Sequence, residues 1–213
     1  MDTTGVSTET VEYRPGFARA LAIAVLVLAA LGLGSSLIAD FAASWRYIPL
    51  TTLVVIGVWL AYFFPAVIVS PGGVEIRNVT RTIALPWPAI QRIETKYALT
   101  FYTAYGSYSA WAAPAPGRAE IGRAGTGKVF REQSAGLPES ALVAGSIRPG
   151  DLPNSSSGQA AMIVRHRWEE LRDFGLLDNP KLERAKPRIT WHWRSLLLLL
   201  LLAALSAVIL LWY

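Results

Sequence analysis

Gly122-Arg123-Ala124-Gly125-Thr126-Gly127-Lys128-Val129 is the stretch of this chain whose glycine spacing best suits holding a phosphate. It fits G-x-x-x-x-G-K, a loop whose backbone N–H groups cradle phosphate oxygens while the lysine reaches the terminal ones. The last position argues against nucleotide binding, because Val129 stands where a Ser or Thr hydroxyl would hold Mg²⁺. The flanks argue against it as well. Ala113 to Gly117 lacks the pattern of a buried strand, and Val129 to Ser134 gives way to Gly136 and Pro138 where a helix should follow. What remains is a flexible, basic, glycine-rich loop whose amides offer at best a loose anion contact.

Other chemistry is thinner still. His166 and His192 fall on different expected elements, with no cysteine in the chain and no H-E-x-x-H spacing, so no metal site is expected. There is no Gly-x-Ser-x-Gly elbow, and Ser107 has no base near it in sequence. Glu169 and Glu170 are adjacent, so on a helix they do not face each other; they read as solvating charges. These residues predict no catalytic group, no cofactor and no enzyme. A catalytic pocket would have to be assembled from residues distant in sequence, such as Arg77, Arg81, Arg92 and Glu94.

The elements that carry these residues are dominated by three apolar runs. Phe17 to Ile38, Tyr47 to Phe64 and Ser195 to Tyr213 stand in a chain that is 53% hydrophobic and 16% charged. About 20 apolar residues at 1.5 Å rise cross a hydrocarbon core, and three transmembrane helices are the expectation. A cleaved signal peptide competes for the first run. It is the poorer reading, because the run exceeds a usual signal core and a second apolar segment follows closely. A buried soluble helix competes for the last, against an uncharged stretch from Leu196 that ends in Trp212 and Tyr213 as an interfacial anchor.

Between Pro65 and Arg194 lie 17 of the 20 Lys and Arg residues and 11 of the 15 acidic ones, a net charge of +6. By the positive-inside rule the N-terminus and this region belong in the cytoplasm, with the short loop and the C-terminus outside a cell membrane crossed several times. The expected division is a tail over 1–16, two spans over 17–64, a β-rich domain over 65–177, a basic linker over 178–194 and a last span over 195–213. Alternation and turn residues place strands at Ala66–Val69, Val74–Arg77, Thr80–Leu85 and Ile90–Lys96. A hairpin of Leu99–Tyr105 with Tyr108–Ala112 is expected to turn at Gly106-Ser107. A Pro/Gly-rich excursion over 114–158 precedes a helix from Gln159 to Phe174. Val164, Trp168 and Leu171 form the helix's apolar stripe, leaving Arg165, Arg167, Glu169, Glu170, Arg172 and Asp173 to water.

Pro65-Ala66-Val67-Ile68-Val69-Ser70-Pro71-Gly72-Gly73-Val74, Arg77-Asn78, and Ile83-Ala84-Leu85-Pro86-Trp87 with Ile90 resemble the opening of bacterial pleckstrin-homology-like (PH-like) domains. Tyr13-Arg14-Pro15 and Trp111-Ala112-Ala113-Pro114 fit the same group, in particular small actinobacterial membrane proteins that carry this domain beside transmembrane helices. The resemblance implies a membrane α-helical anchor joined to a mainly antiparallel β PH-like domain with a C-terminal helix. It covers about 65–113; the family's last strand is not placed within 113–158, and the span at the C-terminus departs from the simplest two-helix arrangement.

Two surfaces are candidates for function. The hairpin aromatics Phe101, Tyr102, Tyr105, Tyr108 and Trp111, with Tyr97, are candidates for contact with a membrane-associated protein. Core filling competes for Trp111 as it does for Trp87, and alternation leaves both open because aromatics occupy both faces of the hairpin. Lys181, Arg184, Lys186, Arg188 and Arg194 are candidates for anionic phospholipid, though positive-inside signalling accounts for them equally. Their juxtamembrane position, with no recognised reading motif, argues against nucleic acid as a partner.

Overall fold

The computed structural model describes residues 9–117, 142–143, 146–147, 152, 155–175, 177 and 185–212. The glycine-rich Gly122–Val129 loop, most of the 114–158 excursion, Lys181 and Arg184 lie outside the described residues. Two compact units share the chain. The described residues of Met1–Arg14, Ala66–Asn78 and Thr82–Thr190 form a β-unit, and those of Pro15–Pro65, Val79–Arg81 and Trp191–Tyr213 form a helical unit.

The β-unit opens with strand β1, Val11–Tyr13, followed in the chain by helix α1, Gly16–Ala39. The short helix α2, Phe41–Ser44, leads through a 3₁₀ turn at Trp45–Tyr47 into α3, Ile48–Val58, which ends in a π turn at Trp59–Phe63. Strands β2 (Ala66–Ser70), β3 (Gly73–Arg77) and β4 (Arg81–Pro86) follow, then a 3₁₀ turn at Trp87–Ala89. Next come β5 (Arg92–Glu94), β6 (Ala98–Thr103) and β7 (Gly106–Pro114), and the short pair β8 (Leu142–Val143) and β9 (Ser146–Ile147). Helix α4 (Ser156–Asp173), strand β10 (Arg188–Trp191) and helix α5 (Trp193–Trp212) complete the order.

One sheet runs β1-β2-β3-β4-β10 and a second runs β5-β6-β7. The outer strands of the larger sheet come from segments expected to be tail and linker. Tyr13 pairs with Val67 and Val11 with Val69 in antiparallel register. At the far edge, the Thr190 hydroxyl donates to the Thr82 carbonyl. Both edge strands adjoin an apolar helix in sequence, which is why hydropathy alone hid them.

Alternation fixes the β-unit's interior. Val67, Val69, Val74, Ile76, Ile83, Leu85, Leu99 and Phe101 all point inward and are buried, together with Trp87, whose Nε1–H donates to the Ser70 carbonyl at 2.8 Å. Each buried side chain of this size contributes about 1.5–3 kcal/mol relative to exposure. Helix α4 covers this core with Ala160, Ala161, Val164 and Leu171 and packs on β6, β7 and β2.

Ser155 starts α4. Its hydroxyl accepts the Gly158 N–H at 3.0 Å and donates to the Leu152 carbonyl at 2.8 Å, satisfying a helix-end amide that would otherwise lack a partner. Gly175, at φ +66, ends the helical segment. Arg165 and Arg167 depart from the expectation that they face water: both are buried, and Arg167 Nη1 pairs with Glu170 Oε2 at 2.8 Å. A simple helical stripe misses such positions, because a long arginine stem can lie along apolar surface while its head finds a carboxylate.

The β6–β7 hairpin also turns earlier than expected. Thr103 opposes Gly106, so Ala104 and Tyr105 form the loop. The Thr103 hydroxyl accepts the Tyr105 N–H at 3.1 Å and donates to the Gly106 carbonyl at 3.0 Å, which locks that register.

In the helical unit, the candidate spans are Ala18–Ala39, Phe41–Phe63 and Trp193–Trp212, of 22, 23 and 20 residues. The second begins before Tyr47, because Asp40 accepts the Ala43 N–H at 3.0 Å and caps a helical turn inside the expected loop. Hydroxyls within the spans donate to backbone carbonyls: Ser36 to Gly32 and Ser206 to Leu202 on their own helices, and Ser44 to Ser36 of α1, as a hydrocarbon environment demands. Helix α3 packs against both α1 and α5.

Candidate functional site

The outer face of the three-stranded sheet gathers the residues best placed for recognition. Strand period two sends Thr100 and Tyr102 outward from β6, and Ser107, Ser109 and Trp111 outward from β7. Tyr102 lies opposite Arg92 on one side and Ser107 on the other; Thr100 lies between Glu94 and Ser109. The Arg92 guanidinium sits 4.2 Å from the Tyr102 ring centroid and pairs with Glu94 at 3.2 Å. The hydroxyls of Thr100 and Ser109 meet at 2.9 Å.

Trp111 is 61% exposed, and Tyr97, just before β6, is 79% exposed beneath the Lys96 ammonium. Asn78, at the end of β3, holds β7 by its backbone: its Oδ1 accepts the Trp111 N–H at 2.8 Å, and its Nδ2 donates to the Ser109 carbonyl at 2.9 Å. The register between β6 and β7 shifts at Ala98/Thr100. The shift lies beside Trp111, and such irregularities re-aim side chains.

The hairpin aromatics therefore separate. Tyr102 and Trp111 share the outer face, and Tyr105, 44% exposed, sits at the loop tip. Phe101 and Tyr108 are corrections, at 0% and 8% exposed: they oppose each other on the inner face and fill the core. Core filling describes Trp87 and not Trp111. Asn78 was legible in sequence only as a turn residue, with no signal for its bridging role.

The basic candidates divide by location. Lys186, Arg188 and Arg194 are exposed, before, on and after β10. The His192 backbone N–H donates to the Thr80 carbonyl at 2.9 Å, and its ring meets Phe64 edge-on at 5.0 Å. Trp191 and Trp193 stack on each other at 5.7 Å.

The outer face offers an ion pair, an arginine–ring contact and a hydroxyl pair, contacts of the kind that recognition uses. Among the described residues, Arg77 is paired with Glu75 and Arg92 with Glu94, and no group of three His, Cys, Asp or Glu residues could hold a metal ion.

These features define an antiparallel β-domain with a C-terminal helix, carried in one chain with three helices long and apolar enough to cross a membrane. Residues 64–150 match a family model described as Bacterial PH domain, and the sheets with their helix form a PH-like domain. No curated protein and no solved structure matches the chain. PH-like domains are generally non-catalytic binding modules.

Proposed function

We propose that this chain is a non-enzymatic, membrane-anchored PH-like adaptor or scaffold, of the kind carried by small actinobacterial membrane proteins. In this reading it binds a membrane-associated protein through Tyr102, Tyr105 and Trp111, with Tyr97 beside them. The observation that carries the reading is Trp111: a tryptophan turned to solvent on a strand whose alternate residues fill the core. Large aromatics that remain exposed on a rigid sheet are the side chains that dominate protein interfaces when covered. Three spans hold the domain at the cell membrane, with the N-terminus and the domain cytoplasmic and residue 213 outside. The working domain is 65–177 together with the edge strands at 11–13 and 188–191.

The test is purification of full-length protein in native membrane particles, comparing wild type with Trp111→Ser and Tyr105→Ser. A specific protein recovered with wild type and lost with both variants supports the adaptor. Equal recovery with all three sinks it.

A second reading, recognition of anionic phospholipid headgroups, is favoured by the exposed run Lys186, Arg188 and Arg194, with Lys181 and Arg184 preceding it in sequence. Each such charge near an anionic leaflet contributes about 1 kcal/mol. Binding to anionic vesicles that weakens with salt is the expected outcome, and indifference to salt and lipid charge would count against it.

A further inference from the structure

The arginines of the two units differ in the carboxylates beside them, although rings lie near arginines of both, as Tyr102 does near Arg92. In the β-unit, Arg14, Arg77, Arg92, Arg167 and Arg172 pair with Glu12, Glu75, Glu94, Glu170 and Asp173. The helical unit contains Arg19, Arg46, Arg81 and Arg194, and its one side-chain carboxylate, Asp40, caps a helical turn. Among them, Arg19 is 5.7 Å from the Phe63 ring centroid and Arg81 is 5.4 Å from that of Trp191.

These contacts join into one girdle. Phe63 stacks on Trp59 at 4.7 Å, and its neighbour Phe64 meets His192 edge-on. His192 is bonded to Thr80, beside Arg81, and its neighbours Trp191 and Trp193 stack. The start of α1, the end of the second span, the start of α5 and the Val79–Arg81 loop thus meet at one end of the three helices. Arg46 lies in the 3₁₀ turn at Trp45–Tyr47, over Tyr47. Among the described residues, neither Arg19, Arg81 nor Arg194 has a carboxylate partner.

An arginine whose flat face rests on an aromatic ring is held by the ring's quadrupole, and its in-plane N–H groups stay available for a bidentate oxyanion. Tryptophans at a span's entrance place that arrangement at headgroup depth.

We propose that this girdle is a binding site for the phosphate of an anionic glycerophospholipid, with Arg81 supplying the guanidinium fork and Trp191 the face that holds it. The site rests on the reading that the three helices cross a membrane. It deepens the lipid reading by moving recognition from the exposed basic run to the Val79–Arg81 loop and its aromatic partners.

The test uses full-length protein in nanodiscs of mixed phosphatidylglycerol and phosphatidylcholine, counting retained lipid by native mass spectrometry. Both leaflets of a nanodisc are alike, so the result does not depend on orientation, which fusions at residues 120 and 213 test separately. Arg81→Gln should lower retained phosphatidylglycerol about fivefold, the equivalent of about 1 kcal/mol. Arg188→Gln removes the same charge from the exposed run, where no ring lies beneath it, and should lower retention clearly less than Arg81→Gln. Arg81→Lys, which keeps the charge but loses the fork, should also lose lipid and controls for misfolding caused by charge removal. Equal losses in Arg81→Gln and Arg188→Gln would reduce the effect to diffuse attraction and overturn the site, as would no loss in either. Displacement of the lipid by inorganic phosphate would assign the girdle to a soluble anion and also overturn it.

Discussion

Asn78 and Trp111 are joined by a hydrogen bond from the Trp111 N–H to the Asn78 side-chain oxygen, 2.8 Å long, across 33 residues of sequence. The same amide donates to Ser109, so one side chain serves two backbone groups of β7 while the indole points to solvent. Asn78→Ala should cost about 0.5–1.5 kcal/mol per bond lost. Hydrogen exchange of the β7 backbone should accelerate while the β2–β3 pair stays protected. Unchanged exchange at Trp111 would show that the bridge does not hold the strand.

Two turn glycines should respond unequally to the same change. Gly73 has φ +156, and a Cβ there would collide with the Leu85 carbonyl of the paired strand; Gly106 has φ +134 but faces open space. Gly106→Ala should carry the conformational cost alone, about 1–2 kcal/mol, and Gly73→Ala clearly more. Thermal melting of the β-unit's signal in the full-length protein compares them. Equal melting temperatures would contradict this account of Gly73.

Helix α4 should invert the usual helix rule. Gly→Ala inside a helix normally stabilises by roughly 0.5–1 kcal/mol. At Gly158 the added methyl would meet the Leu152 carbonyl that Ser155 also engages, so Gly158→Ala should lower stability. Ser155→Ala should cost about 1 kcal/mol or more through loss of the cap. Chemical denaturation followed by far-ultraviolet ellipticity reads both.

Much of the β-unit was legible because its strands are half-buried and alternate cleanly. Val74-Glu75-Ile76 and Leu99-Thr100-Phe101 declare their inward residues by type. Strand β10 did not, because Arg188-Ile189-Thr190-Trp191 is exposed throughout and reads as a basic approach to a span. Strand β1 is three residues long, and its pairing with β2 spans more than fifty positions, a separation that no local pattern carries. For the candidate site, residue type pointed to the right hairpin, but its register decides which aromatic faces out. That register depends on Thr103 closing the turn at Ala104-Tyr105, a local side-chain bond that composition cannot display.

Folding and recognition should separate within this hairpin. Phe101→Ala empties a fully buried site and should cost about 3–5 kcal/mol. Trp111→Ser removes an exposed ring and should shift stability by no more than about 0.5 kcal/mol. Denaturant midpoints of the two variants check this contrast. A large loss in Trp111→Ser would place its indole in the core's energetics and remove the ground for an interaction surface.

The most direct test of the adaptor reading is photo-crosslinking in living cells, with a reactive side chain placed singly at position 111, 102 or 166 of the full-length protein. His166 is exposed on α4, which covers the inner side of β6 and β7 rather than their outer face, and serves as the comparison. The adaptor reading predicts one discrete protein adduct shared by positions 111 and 102 and missing at 166. Adducts of equal yield at all three positions, or none at 111 and 102, would contradict it.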